Sequence, residues 1–250
     1  MTARQLSGTT ALVTGASRGF GRAIASALCK AGADVVGLAR DGARLDEARQ
    51  ELGGSFRPVT GDAADPVLAG QLIDQYRPSV LVLNAGAAPL SRPLQQHTWQ
   101  TFSRNWDVDV QHAFAWTREA LLRPLAPGSV VISISSGAAL FGSPLSGGYA
   151  GAKATVRLIA AYAAEESERA GLDIRFVSVL PQLTAATGLG ASAAGAYASR
   201  AGMPVADFLA TRGPALSTGQ AGQAIEDLLT NPGLDQGSYL LTAAGLSPLP

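Results

Sequence analysis

The chain has 250 residues, 47% hydrophobic and only 15% charged, with 19 basic side chains balanced by 19 acidic ones. No basic run exists, which argues against nucleic acid or an anionic membrane as partner. Cys29 is alone and so rules out an internal disulfide. The start lacks an apolar signal segment and no apolar run reaches about 18 residues, so a soluble, unprocessed, cytoplasmic protein is expected.

Short β-branched runs alternate with longer helical patterns along the chain, the signature of a parallel sheet with crossover helices. The pattern predicts a strand at Thr10–Val13, a glycine turn, and a helix over about Gly21–Ala31 that Gly32 stops. A strand at Asp34–Leu38 precedes a charged helix, Ala43–Leu52, and a weaker strand at Arg57–Thr60 leads to Gly61-Asp62. Pro66 suits the first turn of a helix running to about Tyr76. A strand at Val80–Leu83 ends in Asn84-Ala85-Gly86, and a polar, proline-rich loop then feeds a long helix over about Thr98–Leu122. Trp99, Phe102, Trp106, Ala113 and Thr117 fall at helical spacing along it, which reads as core or subunit contact. A strand at Val130–Ile134, a helix over Ser146–Ala170 and a strand at Ile174–Val179 follow. Residues 183–216, rich in small side chains, read as a substrate loop or lid; a helix at Thr218–Thr230 and a strand at Ser238–Leu241 close the chain. With no repeat and no linker, residues 1–250 are expected to form one domain.

The turn Thr14-Gly15-Ala16-Ser17-Arg18-Gly19-Phe20-Gly21 lies between a strand and a helix. Glycines there permit a tight bend and close approach of a pyrophosphate, which the helix N-terminus stabilises. The spacing differs from GxGxxG, so the position after the first strand of a βαβ unit carries the reading. At the end of the second strand, an acid would bond the ribose 2′-hydroxyl of NAD. This chain instead has Ala39 followed by Arg40, with Arg18 in the turn and Asp41 as the nearest acid. Two guanidinium groups suit a 2′-phosphate, so NADP is expected over NAD.

The stretch from Ser133 to Lys153 carries the chemistry. On a helix, Tyr149 and Lys153 share a face one turn apart. An ammonium beside a phenol favours the phenolate. Bringing a free tyrosine's ionisation to neutral pH takes about 4 kcal/mol. One positive charge at ~4 Å supplies roughly that at an effective dielectric of ~20. Ser136, thirteen residues before the tyrosine, could bond the same substrate oxygen. A serine hydrolase is excluded, because neither Ser135 nor Ser136 has a glycine two residues before it and no histidine follows them. The two histidines, His97 and His112, lack metal-ligand spacing, so no metal is expected. His112 is three residues from Asp109 and could pair with it.

Taken together, TGASRGFG at 14–21, Asn84-Ala85-Gly86, Ser136, Tyr149 and Lys153 resemble the short-chain dehydrogenase/reductase family along nearly the whole chain. The resemblance implies a Rossmann-like, doubly wound α/β fold with a seven-stranded parallel sheet. It also implies NAD(P)-dependent transfer of hydride between nicotinamide and a carbonyl/alcohol pair. Tyr149 would be the general acid/base, Ser136 would hold the substrate oxygen, and Lys153 would bond the nicotinamide ribose. Gly15, Ser17, Gly19, Phe20, Gly21, Asp62, Ala63, Asn84, Ala85 and Gly86 would line the cofactor, with Pro181, Thr184 and Thr187 at its nicotinamide end. Two positions depart from the family pattern: Asp109 stands where an asparagine is usual in the catalytic set, and Gln182 stands where glycine usually follows Pro181. A homodimer or homotetramer is implied, and a non-catalytic dinucleotide-binding sensor is the alternative function.

Overall fold

The structure is a computed structural model that describes residues 5–250. Its centre is one eight-stranded sheet in the order β3-β2-β1-β4-β5-β6-β7-β8. In chain order the elements are β1 (Thr10–Thr14), α1 (Gly19–Lys30), β2 (Asp34–Ala39), α2 (Gly42–Leu52), β3 (Phe56–Thr60), α3 (Pro66–Tyr76) and β4 (Val80–Leu83). They continue with α4 (Trp99–Asn105), a π-helical turn (Trp106–Val110), α5 (Gln111–Leu122), β5 (Val130–Ile134), α6 (Ala138–Phe141) and α7 (Gly147–Arg169). Last come β6 (Arg175–Pro181), α8 (Gly188–Ala201), α9 (Val205–Ala210), α10 (Thr218–Thr230), β7 (Ser238–Thr242) and β8 (Gly245–Pro248).

Seven strands are parallel, as expected; the eighth is a correction. Residues 245–248 turn back on β7 in antiparallel register, pairing Leu241 with Leu246 and Tyr239 with Pro248. The short Gly-Leu-Ser-Pro run has no alternation from which a strand could be read. The second difference is the single helix expected over 98–122, which is interrupted by the π turn.

Strands β1 and β4 are buried along almost their whole length, with apolar residues on both sides, because helices cover both faces of the sheet. Ala11 and Val13 point into a core with α1 and α10, while Leu12 points into one with α3, α5 and α7. Trp116, buried completely, fills the second core and donates its indole N–H to the Ala63 carbonyl at 2.8 Å, which anchors the loop after β3. The stripe on the long helix divides: Ala113 and Thr117 are buried, whereas Trp99 is 77% exposed. Strand order reverses direction between β1 and β4, and the crevice at their C-terminal ends is where open α/β sheets bind ligands.

Helix α7, which carries the tyrosine and lysine, crosses α4 at unusually close range. A Cβ on Gly148 would lie 1.9 Å from the Phe102 carbonyl oxygen, so only glycine lets the two backbones meet there. Gly148→Ala is expected to force them apart and destabilise the fold by about 1–3 kcal/mol, read from chemical unfolding at fixed pH.

Candidate active site

The cleft at the switch point has a volume of about 1400 Å³, above the ~300–1,000 Å³ of a drug-sized pocket. It is roomy enough for a dinucleotide with a small molecule beside it. Apart from Gly21, every residue assigned to the site from the sequence lines this cleft. Gly21 sits behind the turn: a Cβ there would lie 2.2 Å from the Gly15 carbonyl oxygen, so it lets the helix start close under the bend. Gly15 has φ +69°, in the left-handed region, and its own Cβ would meet the Asn84 side chain at 2.8 Å. The turn is fastened to the sheet by Gly15 N–H donating to the Leu38 carbonyl at 2.7 Å.

Thr14 and Asn84 weld the glycine turn to the segment after β4. The Thr14 hydroxyl accepts from the backbone N–H groups of Asn84 at 2.9 Å and Ala85 at 3.1 Å. The Asn84 amide donates in return to the Thr14 carbonyl at 3.0 Å. Sequence reading did not single out the Thr14 hydroxyl, whose signal is only its place at a strand end. Together these bonds hold the two walls of the crevice at fixed spacing.

At the end of the cleft beside β2, Arg18 and Arg40 are exposed, and neither guanidinium is ion-paired or hydrogen-bonded among the described residues. Asp41 caps α2 by accepting the Arg44 N–H at 3.2 Å, and its other oxygen lies 3.4 Å from Arg44 Nε. Asp62 accepts the Ala64 N–H at 3.0 Å, which shapes the loop carrying Asp62 and Ala63. Across the cleft Thr187 caps α8, and its methyl group lies 3.6 Å from where a Cβ on Gly19 would stand. Thr184 is buried with its hydroxyl donating to the Leu216 carbonyl at 2.6 Å, so it fastens the loop end. Gln182 avoids the left-handed region, so no glycine is required there, and its amide donates to the Pro214 carbonyl at 2.8 Å.

The two serines separate by burial. Ser135 is buried and donates to the Lys153 carbonyl at 2.7 Å, a bond that joins β5 to α7. Ser136 is half-buried at the cleft, accepting the Ala138 N–H at 3.2 Å and leaving its hydroxyl hydrogen for a ligand. Tyr149 is also half-buried there, with Lys153 Nζ 5.8 Å from its ring centroid. Lys153 itself is buried, donating to the Ile134 carbonyl at 3.1 Å and lying 3.3 Å from Asp109 Oδ2.

Asn105, at the end of α4, and Asp109, in the π turn, are about one turn apart and both address Ala87. The Asn105 amide donates to the Ala87 carbonyl at 2.8 Å, and Asp109 Oδ1 accepts the Ala87 N–H at 2.7 Å. Such turns recur at functional sites. The i,i+3 pairing considered for Asp109 and His112 is therefore not formed: Asp109 turns to Lys153, and His112 Nε2 lies 3.1 Å from the Thr14 hydroxyl.

Burial disfavours the charged form of Lys153, but Asp109, with a smaller contribution from Tyr149, more than offsets this and holds the ammonium above its ordinary range. His112 is pushed the other way, to about 3, by burial first and the Lys153 charge second, against a hydrogen bond with the Ala85 backbone. His112 is therefore a neutral structural ring. No group of three or more His, Cys, Asp or Glu side chains among the described residues could hold a metal.

These residues fit a nicotinamide dinucleotide: a tight glycine turn at the start of a twelve-residue helix, unpaired guanidinium groups at one end, and Ser136, Tyr149 and Lys153 at the other. The short chain dehydrogenase family profile matches residues 9–197, and the chain belongs to that family, the NAD(P)-dependent oxidoreductases acting on CH–OH and C=O groups. Serine 3-dehydrogenase of Rhizobium radiobacter is 35% identical over 183 residues, 69% of this chain and 70% of that one. A probable NADP-dependent dehydrogenase of Haemophilus influenzae is 32% identical over 185 residues, 72% of this chain and 73% of its own. D-erythrulose reductase of Gallus gallus is 35% identical over 127 residues, and there the match spans about half of each chain, 50% and 51%. The fold matches 3-ketoacyl-(acyl-carrier-protein) reductase from Brucella melitensis complexed with NADH, with a TM-score of 0.76 at 23% identity, covering 93% of this chain and 96% of that one.

The His112 shift has a measurable consequence. The unfolded chain takes up a proton near pH 6.5 and the folded chain only near pH 3, so this stabilisation is complete above pH 6.5 and is lost as pH falls through that window. Between pH 8 and pH 5 the loss through this group is about 2 kcal/mol, and urea unfolding of His112→Gln is expected to lack that part of the pH dependence.

Proposed function

We propose that this protein is an NADP-preferring oxidoreductase that interconverts a carbonyl and an alcohol, with Tyr149 as general acid/base. The observation that carries the reading is the convergence of Ser136, Tyr149 and Lys153 on one cleft whose far end is the glycine turn. When bound, a nicotinamide cofactor would supply or take the hydride. In reduction, Tyr149 gives its phenolic proton to the substrate oxygen as the carbonyl becomes a hydroxyl, and solvent restores that proton. In oxidation, the proton returns to the tyrosine oxygen. Ser136 donates a hydrogen bond to the same oxygen and orients it. Lys153 faces Tyr149 and the expected position of the nicotinamide ribose, while Asp109 completes the set from behind.

The NADP preference rests on Arg18 and Arg40 being unpaired at the cleft while Asp41, the nearest acid, is spent capping α2. Thr187 and Pro181 line the nicotinamide end, with residues 183–216 as the cover over the substrate. That cover and the adjoining walls present Phe141, Leu183, Leu189 and Tyr197, which favours an apolar or moderately polar small molecule. The apolar side chains left exposed on α5 and α7, among them Phe114, Leu122, Leu158 and Tyr162, suit a homodimer or homotetramer. No helix among the described residues is long and apolar enough to cross a membrane, and a cytoplasmic placement is part of the same proposal.

Tyr149→Phe is expected to lower turnover by roughly 10²–10⁴-fold while NADPH still binds. Steady-state assay over a panel of carbonyl compounds and a fluorescence titration check the two halves, and retained turnover in the variant would refute the assignment. Arg40→Ala is expected to weaken NADPH binding by roughly ten-fold or more and to leave NADH binding unchanged, since it removes a charge-assisted hydrogen bond to phosphate.

A further inference from the structure

Asp109 is an unusual neighbour for a site whose chemistry depends on a positive charge. It is 1% exposed, Oδ1 is held by the Ala87 N–H, and Oδ2 has no hydrogen-bond partner, only the ammonium of Lys153 at 3.3 Å. The carboxylate lies against the segment after β4, where a Cβ on Gly86 would stand 3.1 Å from it, so glycine at that position is what leaves room for it.

The charges around this pair are few. His112 on α5 is neutral, the last residue of β5 offers Lys153 its Ile134 carbonyl, and Ser135 just beyond bonds the lysine's own backbone carbonyl. Tyr197 of α8 is turned to Ser143, whose hydroxyl is 2.6 Å from its own. Arg212, beyond α9, is exposed and stacked on Phe208, its guanidinium carbon 4.7 Å from the ring centroid. Arg18 is exposed in the glycine turn. The buried cluster behind Tyr149 therefore holds one cation and one anion, and their fields at the phenol oppose each other.

We infer that Asp109 is a positioning residue that fixes Lys153 as an ammonium and cancels much of its field at Tyr149. The phenol thereby stays protonated to higher pH than it would with a neutral side chain at position 109. Resting on Tyr149 as the acid/base group, this deepens the proposed function. The protonated phenol is the form that carbonyl reduction uses, so Asp109 favours the reductive direction relative to a neutral side chain in its place. An asparagine in the same place could accept the Ala87 N–H through its carbonyl oxygen without carrying the opposing charge.

The test needs neither substrate nor cofactor. Ultraviolet phenolate absorbance is followed against pH for the wild type and for Asp109→Asn, each corrected by the same protein carrying Tyr149→Phe so that only Tyr149 is seen. The Tyr149 phenolate is expected to emerge in Asp109→Asn at a pH lower by roughly one unit or more. Coincident curves, which a purely structural aspartate gives, or a shift to higher pH, which an aspartate that only keeps Lys153 charged gives, would overturn the inference. Asp109→Ser, with circular dichroism to show a folded chain, repeats the comparison if the asparagine variant does not fold, and the same shift is expected. Loss or retention of turnover in Tyr149→Phe bears on the oxidoreductase reading alone, so the two can fail separately.

Discussion

The interaction on which the site depends is the burial of one ammonium. Lys153 lies at the back of the cleft with its charge out of water, where an unpaired ion is costly. That cost is met by a carbonyl at the end of β5 and a carboxylate from the π turn. The carboxylate is in turn held by Ala87, the residue after the Asn84-Ala85-Gly86 segment. The lysine thus ties β5, α7, the long helix and the loop after β4 to one another. The neutrality of His112 follows from the same source, since a second buried cation beside Lys153 would add repulsion to desolvation.

Much of this arrangement was legible in the chain, for physical reasons that differ from residue to residue. The seven parallel strands showed because strands covered on both faces must be apolar throughout, and β-branched side chains concentrate there. The glycine turn showed because only glycine tolerates both the bend at Gly15 and the close packing at Gly21. Ser136 and Ser135 could be ranked but not separated by sequence; burial separates them, one hydroxyl bonded to the lysine's own carbonyl and the other facing the cleft. The π turn was not legible, because helical periodicity records which side chains are apolar and not which carbonyl each N–H selects. Beside and within it, Asn105 and Asp109 together hold both backbone groups of Ala87, a contact no sequence pattern records. The strand β8 was missed because four residues with glycine and proline at the ends carry no usable pattern.

The cover over the cleft is built differently from the crevice beneath it. The walls near the glycine turn are joined by backbone hydrogen bonds and by Thr14 and Asn84. The cover is joined through side chains: Tyr197 OH accepts the Leu145 N–H at 3.2 Å and meets Ser143, and its ring stacks on Phe208 with centroids 6.1 Å apart. Gln182 and Thr184 fasten the far end through single bonds to Pro214 and Leu216. Changes in those cover contacts can therefore leave the glycine turn, bonded separately to the sheet, undisturbed.

Both margins of the sheet end in proline-bearing strands. Pro58 lies in β3, beyond which no strand follows, and Pro248 closes β8 at the opposite margin. A proline offers no N–H to an incoming strand, and β8 is only four residues long. Neither rim is therefore a good template for continuing the sheet into another molecule. The rims thus disfavour edge-to-edge polymerisation of a chain this rich in apolar residues.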